Sequence, residues 1–199
     1  MTTRRAFAIG AAVVLGGCDR LVGRSTAPTF HFTDITGAEF ARRLDLPDVD
    51  GKPRTLADWK GKVTVVFFGY TQCPDVCPTT MAELAQIRKL LGADGDKLQT
   101  VFVTIDPERD TPEILKAYVA NFGPGVAALR GNAEQTAAAA KEFKVFFAKV
   151  AGKSPGSYTM DHSAASFVFD PQGRVRLFVP YGSDPKILAA DIKQLVAAT

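Results

Sequence analysis

The sequence is poor in the residues that most often bind metals or act as nucleophiles, with three cysteines and two histidines among 199 residues. So few cysteines exclude a small disulfide-rich scaffold, which depends on several crosslinks. The charge is close to balanced, with 24 basic and 21 acidic residues. No basic block with interleaved aromatic residues is present, so nucleic acid is not an expected partner.

The N-terminal apolar run is too short for a membrane-spanning helix. Arg4 and Arg5 precede an apolar stretch at residues 6–15, whereas a transmembrane helix needs roughly 20 residues. A charged start, a short apolar stretch and small residues before a cleavage point are typical of a secretory signal. We therefore expect residues 1–17 to be a signal peptide.

The predicted cleavage point resembles a bacterial lipobox, because residues 15–18 read Leu-Gly-Gly-Cys. In such signals the cysteine is lipidated and becomes the new N-terminus, so Cys18 is predicted to be a lipid anchor. An ordinary signal peptide is the alternative, and residues 3–7 also resemble a twin-arginine export signal more weakly. Residues 18–29 are then a small, polar tether. Residues 30–199 are long enough for one globular domain.

Apolar periodicity predicts an α/β fold for this domain. The unbroken apolar run at 63–68 is typical of a strand buried on both faces of a sheet. Further strands are predicted at 100–105, 126–129, 145–150, 166–169 and 175–179, and an edge hairpin at 31–40. Helices are predicted from a cap at Thr80 and over 112–122, 132–143 and 185–198. This order predicts a central mixed sheet with helices on both faces, arranged as in a thioredoxin-like fold.

Cys73 and Cys77 follow the first buried strand, at its carboxyl end, where α/β folds place their functional sites. A thiolate is both a nucleophile in disulfide exchange and a soft metal ligand. A disulfide between residues so close in sequence would stabilise the folded state little. The following helix N-terminus is expected to stabilise a thiolate on Cys77. Exchange chemistry and metal binding both remain open for this pair.

Two thiolates leave a copper ion short of ligands, so a third donor is expected from elsewhere. His162 precedes the strand at 166–169, which is expected to lie beside the strand before the cysteines. A lone histidine is more often a surface residue, but an unexplained cysteine pair favours its role as the third ligand. Two sulfurs and one imidazole suit both Cu(I) and Cu(II).

Other residues close in sequence to the predicted ligands, and the second histidine, are expected to support the site or to lie outside it. Asp75 and Asp161 are candidates for orienting the ligands, and simple solvated carboxylates are the alternative. Met160 is near enough in sequence to contact copper, although methionine more often packs in a core. His31 lies near the tether and is not expected to be a ligand.

Four sequence blocks together resemble the SCO/SenC family of copper-binding proteins of cytochrome oxidase assembly. They are residues 33–37 (TDITG), 68–78 (FGYTQCPDVCP), 106–112 (DPERDTP) and 161–163 (DHS). The resemblance implies a thioredoxin-like, membrane-anchored domain that faces the periplasm in bacteria, with copper bound by Cys73, Cys77 and His162. The sequence departs from the family at Gln72, where many relatives carry histidine, and in having a lipobox instead of a transmembrane helix.

The resemblance also implies partners and an activity. A copper metallochaperone would receive copper from a periplasmic donor and deliver it to the binuclear copper centre of a haem–copper oxidase. A thiol–disulfide oxidoreductase that reduces the cysteines of that centre is the alternative. Three residues separate the cysteines where exchange enzymes of this fold typically have two, and no proline precedes the strand at 166–169. Both differences favour metal binding, and no residue set typical of a peroxidase is found. Asp106 and Arg109 are expected to be structural.

Overall fold

A computed structural model describes residues 29–198. The predicted signal peptide, Cys18 and all of the predicted tether except Thr29 lie outside these residues. The strands are β1 (Thr33–Asp34), β2 (Asp45–Pro47), β3 (Pro53–Thr55), β4 (Val63–Gly69), β5 (Leu98–Thr104), β6 (Val126–Leu129), β7 (Phe147–Ala151), β8 (Tyr158–His162), β9 (Ala165–Phe169) and β10 (Val175–Pro180). The helices are α1 (Val76–Leu90), α2 (Pro112–Ala120), α3 (Ala133–Glu142) and α4 (Pro185–Ala197).

Six strands form the central sheet in the order β1-β10-β9-β4-β5-β6. β4, β5 and β6 run parallel, whereas β9 is antiparallel to β4, and β10 and β1 continue the antiparallel half. Phe67 of β4 lies opposite Ser166 of β9. The end of β4 therefore meets the start of β9, as the sequence predicts for the cysteine and histidine segments.

The sheet is covered on both faces, which explains why every residue of β4 and β5 is buried. Side chains alternate along a strand, so Phe67 and Phe68 point to opposite faces. Phe68 packs against Phe143, which follows α3, with 5.1 Å between ring centroids. Phe143 also contacts Phe167 and Phe169 of β9. The α/β class and the mixed sheet are as predicted.

The first helix begins earlier than predicted. α1 begins at Val76, so the predicted cap at Thr80 is wrong, and Cys77 lies within the first turn of the helix. Pro78 is compatible with this start, because backbone N–H groups in the first turn have no helical partner to lose. Thr80 is instead buried, and its Oγ1 has no hydrogen-bond partner among the residues that the structure describes.

The predicted hairpin at 31–40 is also wrong. This segment contributes only the edge strand β1, which pairs with β10. A turn closed by the Ala38 N–H and the Ile35 carbonyl follows β1. The chain then crosses to α3, where the Ala41 N–H donates to the carbonyl of Glu142. The N-terminal hairpin of the described chain is formed instead by β2 and β3.

β7 and β8 form a separate two-stranded sheet, the His162 hairpin, in which Phe147 lies opposite His162. The sequence predicts β7 approximately but not β8, so His162 ends a strand where a loop was expected. None of the helices described for residues 29–198 is both long and apolar enough to cross a membrane.

The aromatic cluster around Phe143 allows a test of the core. Phe143 is fully buried, whereas Phe146, three residues later, is 63% exposed. We expect Phe143→Ala to lower the free energy of unfolding by about 3–5 kcal/mol, because it leaves a cavity among packed rings. Phe146→Ala should change it by less than about 0.5 kcal/mol. Urea denaturation of both variants measures the difference, and equal losses would contradict this packing.

Candidate metal centre

The structure brings Cys73, Cys77 and His162 together. One ligand atom from each residue lies within 4.8 Å of the other two. Cys77 Sγ is 3.5 Å from His162 Nε2, and the Cys77 N–H donates to Cys73 Sγ at 3.4 Å. Both cysteines are free thiols. Two soft sulfur atoms and one imidazole nitrogen at this spacing can surround a single soft metal ion such as copper.

Each of the three residues is placed by a different element. Cys77 is fixed by the first turn of α1, and Cys73 lies in the loop before it, where its N–H donates to the carbonyl of Tyr70. His162 ends β8 and is separated from β9 by only residues 163 and 164, and the Ser163 N–H donates to the carbonyl of Phe146, which directly precedes β7. The centre therefore depends on both the parallel and the antiparallel parts of the fold.

The His162 ring is oriented for metal binding. Its Nδ1 lies 3.0 Å from the carbonyl oxygen of Ser163. A carbonyl only accepts hydrogen bonds, so Nδ1 carries the proton and the lone pair on Nε2 faces Cys77. Burial lowers the pKa of His162, which favours the neutral imidazole that binds metals. The rings of Phe67 and Tyr70 contact the imidazole edge-on, at 6.2 and 6.0 Å between centroids.

Burial dominates the chemistry of Cys77. Its side chain is completely inaccessible, and desolvation raises the pKa of the thiol well above its ordinary value. The helix N-terminus was expected to stabilise a thiolate, but its partial charge is outweighed by the loss of water around the sulfur. Without a metal, a raised pKa favours the protonated thiol, so a metal ion bound by Cys77 would have to displace its proton.

Gly69 leaves the space that Cys77 occupies. A Cβ atom at Gly69 would lie 2.8 Å from Cys77 Sγ and 3.0 Å from atoms of both Phe67 and Phe102. These neighbours belong to the packed core, so none of them can move aside without cost. The sequence pattern did not identify this residue, because the requirement for glycine comes from a contact with a side chain on the next helix.

Asp110 and Thr71 support the cysteine loop and were also missed. Asp110 is fully buried and accepts hydrogen bonds from the backbone and hydroxyl of Thr71 and from the hydroxyl of Thr104. Burial raises the pKa of Asp110, although these donors oppose the effect. The only sequence signal is its position in the block at 106–112. This carboxylate ties the start of the cysteine loop to the end of β5.

Asp75, Met160 and Asp161 line the same cleft as Cys73 and His162 but do not belong to the group of three ligand atoms. Asp75 precedes α1 and accepts a hydrogen bond from the Thr79 hydroxyl, and Asp161 is exposed beside His162. Met160 is buried in the core. Gln72 accepts a hydrogen bond from Arg109. His31 lies elsewhere, with its Nδ1 2.7 Å from Asp191 of α4.

The centre opens to solvent through a cleft of about 630 Å³. Cys73 and His162 line this cleft, together with Pro74, Phe146 and Asp161. Cys77 does not line it and lies behind the other two residues. A metal held here can therefore be reached by another molecule from one side only.

A model of the SCO1/SenC family matches residues 32–197. The chain belongs to the SCO1/SenC family. It is 35% identical over 151 residues to the SCO2-like protein of Rickettsia felis, covering 75% of this chain and 74% of that protein. It is 37% identical over 133 residues to the mitochondrial protein SCO2 of Saccharomyces cerevisiae, covering 66% of this chain but only 44% of the yeast protein.

Solved structures of family members share the fold, which confirms the predicted thioredoxin-like architecture. ScoI of Bradyrhizobium japonicum, solved with copper bound, is 39% identical, with a TM-score of 0.69 over 77% of this chain and 97% of that one. A SCO1/SenC family lipoprotein from Bacillus anthracis is 25% identical, with the same TM-score over 84% of this chain and 99% of that one.

The crowding around Gly69 predicts a specific effect on metal binding. Gly69→Ala should push Cys77 Sγ away from His162 and weaken copper binding by about 10–100-fold, as loss of support around a metal site typically does. A competition titration with a copper chelator measures this change.

Gly95→Ala is the matched control, because its Cβ would lie 2.7 Å from the carbonyl oxygen of Arg88, at the opposite end of α1 from the cysteines. We expect it to reduce stability without weakening copper binding. Equal copper affinities of the two variants would contradict the proposed role of Gly69.

Proposed function

We propose that this protein binds Cu(I) and Cu(II) through Cys73, Cys77 and His162 and delivers copper to the binuclear copper centre of a haem–copper oxidase. The observation that carries the proposal is the convergence of two thiols and one imidazole within 4.8 Å at the base of an open cleft. Membership of the SCO1/SenC family supports it, as does copper binding by the related ScoI of Bradyrhizobium japonicum.

The sulfur and nitrogen ligands of the centre suit different oxidation states of copper. Cys73 and Cys77 supply soft thiolate ligands that suit Cu(I), and both lose their protons when the ion binds. His162 adds a nitrogen donor that suits Cu(II), and Ser163 holds its ring in the required tautomer. The side of the centre formed by Cys73 and His162 faces the cleft, where donor and acceptor proteins would exchange the ion.

The location of the protein is part of the proposal. Residues 1–17 act as a signal peptide, Cys18 carries the lipid, and residues 18–29 tether the domain to the periplasmic face of a bacterial inner membrane. The Leu-Gly-Gly-Cys ending supports this arrangement, and the related Bacillus anthracis protein is a lipoprotein. A periplasmic donor would load the centre, and an oxidase subunit would receive the copper.

Thiol–disulfide exchange with the cysteines of the oxidase copper site is the second candidate. The free thiols of Cys73 and Cys77 are adjacent, and the first lines the cleft. Exchange requires these two sulfurs alone, whereas copper delivery also uses His162. This difference separates the two functions.

Removing the histidine should affect the two oxidation states unequally. We expect the wild-type domain to bind one equivalent of copper in either state, with a sulfur-to-copper charge-transfer band for Cu(II). His162→Ala should weaken Cu(II) more than Cu(I), since two thiolates alone can hold the softer ion. Anaerobic competition with a chelator measures both affinities. Equal losses would contradict the assignment of His162, and no copper retained by the wild type would overturn copper binding altogether.

Complementation distinguishes delivery from thiol reduction. In cells that lack this protein, we expect the wild type to restore the copper content of the oxidase and His162→Ala to fail. If His162→Ala restores the copper content while Cys73→Ser does not, the protein acts as a reductase. Added copper salts should partly replace a delivery protein but not a reductase.

A further inference from the structure

The His162 hairpin pairs with no other strand among the described residues, because β7 and β8 hydrogen-bond only to each other. Only residues 163 and 164 separate β8 from β9, so the main chain ties the His162 end of the hairpin to the central sheet, and side-chain contacts hold the rest of the hairpin against the cysteine loop. Tyr70 gives one such contact, since its ring meets the His162 ring edge-on, with 6.0 Å between centroids. An exposed ion pair between Lys149 and Glu108 gives another. The most extensive contacts come from Arg109.

The guanidinium of Arg109 joins three separate segments. Its Nε donates to Asp106 at 2.5 Å, and its Nη1 donates both to the Tyr158 carbonyl at 2.8 Å and to Gln72 Oε1 at 3.1 Å. Asp106 follows β5, Gln72 directly precedes Cys73, and Tyr158 begins β8. A single planar cation thus connects the cysteine loop to the strand that carries His162.

Aromatic contacts hold this cation in place. The Arg109 Cζ atom lies 3.6 Å from the centre of the Tyr158 ring and 5.7 Å from that of Tyr70. The Tyr158 hydroxyl donates to Asp106 at 2.9 Å, so both residues share one carboxylate. Asp106 is 1% exposed and the Arg109 side chain 19%. A buried carboxylate with two donors fixes its partners more firmly than an exposed ion pair does.

We propose that Arg109 is a positioning residue that clamps the His162 hairpin to the cysteine loop and so determines whether copper is held by three ligands or by two. This proposal rests on the copper site proposed above. With the clamp intact, His162 Nε2 faces Cys77; without it, the hairpin is free to move away while both cysteines stay in place. The sequence suggested only a structural role for Arg109.

Arg109→Lys tests the clamp, because lysine keeps the charge but lacks the planar fork that reaches three acceptors. We expect this variant to weaken Cu(II) binding by about tenfold, as for loss of a residue that orients a ligand. Cu(I) binding should change far less, since the cysteines are unmoved. In the metal-free protein, backbone amides at 158–162 should exchange with deuterium faster than in the wild type. Tyr158→Phe keeps the stacked ring and the carbonyl contact, so its effects should be smaller.

Arg176→Lys is the matched control. The Arg176 side chain is 13% exposed, pairs with the buried Asp170 and packs 5.2 Å from the ring of Phe30. It lies near the start of β10, at the opposite end from Pro180, which pairs with Ala165 next to the centre. This substitution should lower the melting temperature without changing either copper affinity or the exchange of residues 158–162.

These measurements distinguish failure of the Arg109 clamp from failure of the proposed copper site. An unchanged Cu(II) affinity in Arg109→Lys overturns the clamp. Equal losses of Cu(I) and Cu(II) affinity also overturn it when the melting temperature falls as much as in Arg176→Lys. If the wild type binds no copper, the proposed function fails. The exchange of residues 158–162 in the metal-free protein then decides the clamp alone, and an unchanged rate overturns it.

Discussion

The antiparallel pairing of β9 with β4 is the constraint on which the centre depends. It sets the start of β9 against the end of β4, so residues 85 positions apart in sequence come within hydrogen-bond distance at Cys77 and His162. Parallel pairing of β4 with β5 adds the second support, since it carries the Asp110 carboxylate to the cysteine loop. Both pairings are deep in the sheet, where every residue of β4 and β9 is buried.

This dependence would allow a stable core and the proposed exchangeable copper ion to coexist in one small domain. The residues that fix the cysteines belong to the most buried strands, whereas the histidine is carried by a hairpin outside the central sheet. Displacing the hairpin would break few main-chain hydrogen bonds of the core. Changes at the centre can therefore occur without loosening the sheet.

Much of the fold could be predicted from the sequence, because buried strands leave continuous apolar runs. The prediction at 126–129 coincides with β6, and the three ligand candidates follow from their scarcity and from the resemblance of their motifs. β8 could not be predicted in this way, since Tyr158–His162 mixes polar and apolar residues and depends on pairing with β7. Asp110 and Gly69 act through contacts between distant segments, which no local pattern encodes. A structural role is expected for Arg109 from the sequence, but its contacts with Gln72 and Tyr158 are not.

The unequal burial of the two sulfurs would impose an order on copper exchange at the proposed site. Cys73 and His162 face the cleft, whereas Cys77 is sealed behind them by Gly69 and the core aromatic rings. An incoming ligand can approach only from the cleft, so it must replace one of the two outer donors before the inner one. In the proposed copper site, Cys77 would then be the last sulfur to leave the ion, and recovery of its proton would leave the empty site neutral. Copper delivered by the proposed site would therefore enter and leave through the cleft, on the side of Cys73 and His162.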